Sequence, residues 1–79
     1  IVTVAACWLK PGGALIVTCA GPNRRPHSAI DGKHRLHDGE HYGNIPAVEL
    51  RSAMEQAGLT VEVCREHRRN EDTQAVGRL

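Results

Sequence analysis

The first twenty positions of the chain show two different spacings of hydrophobic residues. Apolar residues at positions 1, 2, 4, 5, 8 and 9 follow the spacing of one helix face. The helix is expected to end with a basic last turn at Lys10, followed by a stop at Pro11. The chain then reverses direction at Gly12-Gly13. Residues 14–20 are almost wholly apolar, which is typical of a strand covered on both faces. The pattern predicts a helix end over 1–10 and a central strand over 14–20.

The middle of the chain has no periodic apolar face. Residues 21–46 contain scattered polar groups and three of the four prolines, which indicates a long loop. Loops longer than about 12–15 residues without regular structure are uncommon and usually functional. We therefore expect the functional side chains to lie in this segment.

Helical spacing resumes after the loop. Asn44 is a candidate cap and Pro46 suits a first helical turn. Apolar residues then recur on one helix face, at Leu50, Ala53, Met54 and Ala57. Gly58 is typical of the left-handed residue that ends a helix. The spacing predicts a helix over 47–58.

The end of the chain alternates between apolar and polar residues. Val61 and Val63 alternate with Glu62 and Cys64, which predicts a strand with one wetter face. A polar cluster at 67–72 predicts a turn, after which the chain has a second candidate strand. We expect an antiparallel hairpin over 60–79 and therefore an α/β protein.

Composition narrows the class of protein. With 79 residues, one Trp, one Tyr and no Phe, the chain suffices for one small domain with a thin core. A formal net charge of +1 creates no field that attracts nucleic acid, and no apolar stretch has the length of a bilayer span. Three cysteines, an odd number, favour a reducing compartment, so we expect a cytoplasmic protein. Because Ile1 lies inside an apolar segment, we expect a piece of a longer protein.

Several short motifs, in this order, resemble one enzyme family. Residues 8–18, WLKPGGALIVT, resemble the point in class I S-adenosylmethionine-dependent methyltransferases where a helix ends and the fifth sheet strand begins. Residues 49–63, with QAGL before the second valine-rich segment, are similar to the family's last helix and sixth strand. Residues 39–45, GEHYGNI, are similar to a stretch in a bacterial and phage branch of these enzymes. A terminal hairpin is also the family's usual finish.

The resemblance implies a partial doubly wound, Rossmann-like sheet, with 1–79 as the C-terminal portion of one methyltransferase-like domain. The last strand is then inserted antiparallel beside the strand at 14–20. The family's cofactor lies over the front half of the sheet, where a glycine-rich loop follows the first strand. This chain has no G-x-G run. We therefore expect S-adenosylmethionine to bind only in a full-length parent, and the isolated fragment to be inactive.

The resemblance also places an unidentified methyl acceptor beside the loop at 21–46, because ligands of open α/β sheets lie beyond the carboxyl ends of the strands. His41 is the candidate base, since an imidazole titrates near neutral pH. The candidate acceptor-binding residues are Asn23, Arg24, His27 and Tyr42. The alternative is that these are solvated loop side chains, with the ring of Tyr42 packed against the strand.

Two further expectations concern the surface. Arg68 and Arg69 fall in the predicted hairpin turn and are expected to lie away from the acceptor site. Leu15, Ile16 and Val17 are expected to face water along an unpaired strand, which favours self-association.

A small His/Cys metal-binding domain is the alternative interpretation of the whole chain. His34, His37 and His41 are spaced closely, and with Cys19 or Cys64 they offer ligand types that zinc accepts. The spacing matches no known zinc finger, and the chain has no C-x2-C pair.

Overall fold

The computed structural model describes residues 1–79 and contains two helices and one sheet of three strands. In chain order the elements are α1 (Val2–Cys7), β1 (Ala14–Ala20), α2 (Ala47–Gln56), β2 (Thr60–His67) and β3 (Asp72–Arg78). The predicted strand over 14–20 is therefore β1, and the predicted hairpin is β2 with β3. The segment between β1 and α2 contains no helix or strand, as predicted. The α/β class is confirmed.

The last strand, β3, is the central strand of the sheet. The strand order is β1-β3-β2, and β3 is antiparallel to both neighbours. β1 and β2 consequently run parallel to each other, one on each side of β3. The predicted position of the last strand, antiparallel beside β1, is confirmed. The prediction that β1 is central is wrong, because β1 pairs with β3 along one edge and has no strand on its other edge.

Both helices contribute to a core on one face of the sheet. Thr73, Ala75 and Gly77 of β3 are buried on this face. The apolar core consists of five residues from four segments of the chain, Ala6, Leu50, Met54, Leu59 and Ala75. The opposite face is open, with Ile16 74% exposed. A doubly wound sheet has helices on both faces, so the sheet formed by these 79 residues is not doubly wound. The prediction that β1 is covered on both faces is wrong, because only one face of the sheet has helices.

A bulge in β2 changes which of its residues face the core. The pairing with β3 shifts between Val61 and Val63. As a result Val63 is 41% exposed, while Cys64 and Glu66 turn partly inward. The predicted alternation of Val61 and Val63 against Glu62 and Cys64 is therefore wrong beyond the bulge, because one extra residue reverses the facing of every residue after it.

Candidate functional site

The loop of residues 21–46 and the β2–β3 hairpin turn meet at one end of the sheet. Ala20 of β1 and His67 of β2 are both in register with Asp72, the first residue of β3. The carboxyl ends of β1 and β2 therefore lie at the same edge, which we call the carboxyl edge. Open α/β sheets place their ligands at this edge, so the loop emerges where the sequence predicted.

The start of the loop packs closely against the backbone of the hairpin turn. The Gly21 N–H donates to Glu71 O at 2.8 Å, and the Asn23 N–H donates to Asn70 O at 2.9 Å. A Cβ at position 21 would lie 2.4 Å from Asn70 O, so only glycine fits there. The turn itself has three consecutive residues at positive φ, Arg68, Arg69 and Asn70, with φ of 52°, 57° and 67°. Such residues cost about 1–2 kcal/mol each, and the bond from the Asn23 N–H holds one of the three, Asn70.

Asn23 and Arg24 both contact the hairpin rather than empty space. The Asn23 side-chain amide donates to Arg69 O at 2.8 Å. Arg24 Nη1 lies 3.6 Å from Asp72 Oδ1, and the Arg24 side chain keeps 43% of its surface exposed. Asn23 therefore positions the turn, while Arg24 has free surface for a ligand. The prediction that Arg68 and Arg69 lie away from this region is wrong, because the parallel course of β1 and β2 brings the turn to the carboxyl edge.

The end of the loop returns to its beginning. The Asn44 side-chain amide donates to Gly21 O at 2.7 Å and to Arg24 O at 2.8 Å. The Ile45 N–H donates to Ala20 O at 2.8 Å, and the Thr73 hydroxyl donates to Ile45 O. The predicted capping role of Asn44 is wrong, because its amide closes the loop instead.

The first turn of α2 is capped from the sheet. Glu66 of β2 accepts a hydrogen bond from the Ala47 N–H at 2.8 Å. A carboxylate at a helix N-terminus satisfies a free N–H and interacts favourably with the helix dipole. The helix that follows the loop is thus fixed to the carboxyl edge by a residue far away in sequence.

Glu40 organises the interior of the loop. Its carboxylate accepts hydrogen bonds from the Ser28 hydroxyl at 2.6 Å, the Ala29 N–H at 2.9 Å and the His37 N–H at 2.8 Å. These bonds, the one from Ser28 first, lower the pKa of the Glu40 carboxyl from its ordinary value. His37 in turn lies 3.0 Å from Asp31 Oδ2. Three hydrogen bonds inside the loop therefore converge on the Glu40 carboxylate, and a separate contact joins His37 to Asp31.

His27 and Tyr42 come together as a pair. Their ring centroids are 5.3 Å apart, with an edge-to-face angle of 71°. His27 Nδ1 and the Tyr42 hydroxyl are both buried and have no hydrogen-bond partner. Buried polar atoms nearly always have a partner, so each such atom calls for an explanation. His41, the predicted base, is next to this pair in sequence, and its side chain is exposed.

The predicted metal ligands do not converge. His34 Nδ1 donates to Pro26 O at 3.1 Å, Cys19 Sγ lies 3.8 Å from Thr73 O and Cys64 Sγ lies 3.1 Å from Ala47 O. Burial, followed by the neighbouring Cys64, raises the pKa of the Cys19 thiol. No group of three or more His, Cys, Asp or Glu side chains is placed to hold a metal ion, so no geometry supports the metal-binding alternative.

The largest depression on the surface lies elsewhere in the loop. It is open, about 660 Å³ in volume, and none of the predicted acceptor-site residues line it; its walls are Asp31, Lys33, Arg35, Leu36, His37 and Asp38. The lining charges are of both signs, which favours no class of ligand.

Sequence reasoning missed Glu40, Glu66 and the hairpin arginines. For the arginines a signal existed, because a hairpin that follows a parallel crossover must turn at the carboxyl edge. The partners of Glu40 and Glu66 had no signal in the sequence.

Comparisons of the chain with protein-family models, with curated proteins and with solved structures found no match. Neither helix is long and apolar enough to cross a bilayer.

Proposed function

We propose that these 79 residues form the acceptor side of a class I S-adenosylmethionine-dependent methyltransferase, the C-terminal part of a Rossmann-like domain whose donor-binding half lies outside the chain. The sheet order is the observation that carries the proposal. β3 lies antiparallel between two parallel strands. The same arrangement of the last strand is implied by the resemblance of the WLKPGG and QAGL motifs to this family.

The two edges of the sheet differ in a way that supports a continuation beyond β1. β1 is seven residues long and has no charged residue, no proline and no bulge. β2 has a bulge and four acidic or basic side chains, Glu62, Arg65, Glu66 and His67. Exposed edges of natural sheets normally have such protective features. β2 therefore has the features of an outer strand of a sheet, whereas the free edge of β1 has the features of a strand that pairs with a further strand.

The chain has no residues that fit the cofactor. Its one glycine pair comes before β1 and is used to hold the C-terminus: the Gly12 N–H donates to Leu79 O, and the Leu79 N–H donates to Gly13 O, both at 2.9 Å. A cofactor cradle needs a glycine-rich turn between a strand and the helix after it. We therefore assign no step of the donor chemistry to this chain.

The acceptor side is where this chain acts. In this proposal His27 Nδ1 and the Tyr42 hydroxyl, buried without partners, hydrogen-bond to a polar group of the acceptor. Contact requires a movement that exposes these two buried atoms. His41, exposed beside Tyr42, takes the proton that the acceptor nucleophile loses.

The test is to express the chain together with the coding sequence that precedes Ile1 and to measure S-adenosylmethionine binding by calorimetry. We expect the extended protein to bind the cofactor and the 79-residue chain not to bind it. Cofactor binding or methyl transfer by the 79 residues alone would contradict the proposal. So would a preceding sequence that lacks a strand followed by a glycine-rich turn.

The role of His41 is testable in the same extended protein. His41→Ala should lower kcat by about 10²–10⁴-fold, the usual contribution of a general base. His34→Ala is the matched control, since His34 is also an exposed loop histidine. Equal effects of the two substitutions would remove His41 from this role.

The open edge of β1 also supports a proposal about the isolated chain. We propose that two copies pair through β1, whose Ile16 is 74% exposed. Sedimentation velocity should show concentration-dependent association that Ile16→Lys abolishes, because a charge on an edge strand opposes pairing. Val48→Lys is the control, since Val48 is 72% exposed on α2. A monomer at all concentrations would refute the pairing.

A further inference from the structure

Two arginine pairs that are distant in sequence meet at the carboxyl edge. Arg24-Arg25 follows β1, and Arg68-Arg69 occupies the hairpin turn. The backbone joins them, because the Asn23 amide donates to Arg69 O at 2.8 Å and Arg24 reaches Asp72 at the end of the same turn. Four guanidinium groups are therefore carried by two adjoining segments of the surface.

Most of this positive charge has no partner. Arg24 has an acidic neighbour, Asp72, at 3.6 Å. The three ion pairs of the structure include no contact of Arg25, Arg68 or Arg69 with a carboxylate. The side chains of all three are exposed. A guanidinium binds oxyanions through two parallel hydrogen bonds, so these exposed groups are available to an anion.

The hairpin turn is also held in an unusual shape. Its three residues at positive φ are of types that rarely adopt this backbone, Asn excepted. Arg69 and Asn70 accept hydrogen bonds from Asn23, and position 21 has no room for a side chain. The loop thus fixes where the turn, and with it Arg68 and Arg69, lies relative to Arg24.

We propose that Arg24, Arg68 and Arg69 bind an oxyanion, a phosphate or a carboxylate, of a small-molecule acceptor. This inference rests on the proposed function and deepens it by giving the acceptor a negative charge. His27 and Tyr42 would then contact an uncharged polar part of the same molecule.

The experiment is an NMR titration of the ¹⁵N-labelled 79-residue chain with inorganic phosphate and, separately, with acetate, at constant ionic strength. We expect saturable shifts of the Arg68 and Arg69 Nε–H signals and of the Asn23 side-chain amide. A response to phosphate alone assigns a phosphate group to the acceptor, and a response to acetate alone assigns a carboxylate. Unsaturable shifts spread over all arginines would overturn the proposal.

The matched variants are Arg68→Asn with Arg69→Asn, and Arg51→Gln. Asparagine tolerates positive φ, so the double variant removes the guanidinium groups and keeps the turn; unchanged Gly21 and Asn23 amide signals verify this. We expect at least a tenfold loss of affinity in the double variant and none in Arg51→Gln, because Arg51 is an exposed arginine of α2. Equal affinity in all three proteins would refute the site.

The outcomes separate this inference from the proposed function. Anion binding is measured on the chain without any cofactor. Saturable binding combined with a failed cofactor test removes the methyltransferase and leaves the oxyanion site. A bound cofactor in the extended protein with no anion response leaves the methyltransferase and removes the charged acceptor.

Discussion

The helix-covered face of the sheet and the loop of residues 21–46 are held together by different forces. The sheet and helices enclose an apolar core of five buried residues, among them Met54, which has no exposed surface. Within the loop only Gly21 and Ser28 are buried, and Ile45 is its one apolar residue that packs, partly buried, against that core. Its polar contacts include the hydrogen bonds to the Glu40 carboxylate, those from the Asn44 amide and the Arg24–Asp72 ion pair.

This difference separates stability from function within one small chain. Burial of apolar surface does not depend on the protonation of a side chain, whereas a loop organised by one carboxylate does. Elements with little buried apolar surface also open more easily than the core. The loop carries the candidate acceptor residues, so the part of the molecule that must accommodate a ligand is the part with the weakest apolar packing.

The largest effect is expected in the core. Met54→Ala should lower the free energy of unfolding by about 2–5 kcal/mol, because it removes apolar atoms and leaves a cavity. Urea denaturation followed by circular dichroism measures it. Ile16→Ala on the open face is the control, with a change within about 0.5 kcal/mol in the monomer. Equal losses at the two positions would show that the two faces of the sheet are packed alike.

The second largest loss in the free energy of unfolding is expected at the junction between the loop and the hairpin turn. Gly21→Ala places a Cβ 2.4 Å from Asn70 O, and since that atom belongs to the backbone, the loop must separate from the turn. We expect a loss of about 1–3 kcal/mol, the usual cost of overpacking, measured by thermal unfolding. Gly43→Ala meets no atom within 4 Å and should leave stability unchanged. A tolerated Gly21→Ala would mean that the loop is not seated on the hairpin.

The smallest expected effect is a pH-dependent loss of stability that is confined to the loop. Because the pKa of Glu40 is lowered from its ordinary value of 4.5, its ionised form stabilises the folded loop above that pH. This stabilisation is lost as the pH falls through the lower pKa of the folded state. The amide shifts of Ala29 and His37, which donate to Glu40, should therefore titrate with a midpoint below 4.5.

Two variants check the assignment of that titration. Glu40→Gln should abolish the amide shifts and give, at pH 7, a loop that exchanges its amide hydrogens faster. Glu55→Gln, a change at an exposed position of α2, should alter neither. A midpoint at or above the ordinary pKa, or a titration that survives Glu40→Gln, would show that another group organises the loop.

Local sequence signals were sufficient to predict the helices and strands and some of the residues at which they end. The apolar run at 14–20, the helical spacing from Leu50 to Ala57 and the alternation after Gly58 each depend on neighbouring residues, and each corresponds to an observed element. Gly58 has the predicted positive φ, 88°. The period of the apolar positions is a local property, which is why it can be read without the fold.

For the candidate site the sequence indicated the segment but not the contacts. His27 and Tyr42, both predicted, do come together, while Asn23 and Asn44 serve the loop's own structure. The role of Glu66 emerged only from the structure, because its partner Ala47 is distant in sequence. A side chain that contacts a backbone atom across such a distance has no local signature.

The sequence by itself determined the α/β class, the order of the elements and the length of the loop, since these follow from local periodicity, turn residues and chain connectivity. The tertiary structure alone decided that β3 rather than β1 is central, that a bulge turns Val63 outward, and that the Asn23 side-chain amide donates to the backbone of Arg69 in the hairpin turn. The physical reason is that strand order, register and long-range hydrogen bonds depend on which distant surfaces pack together.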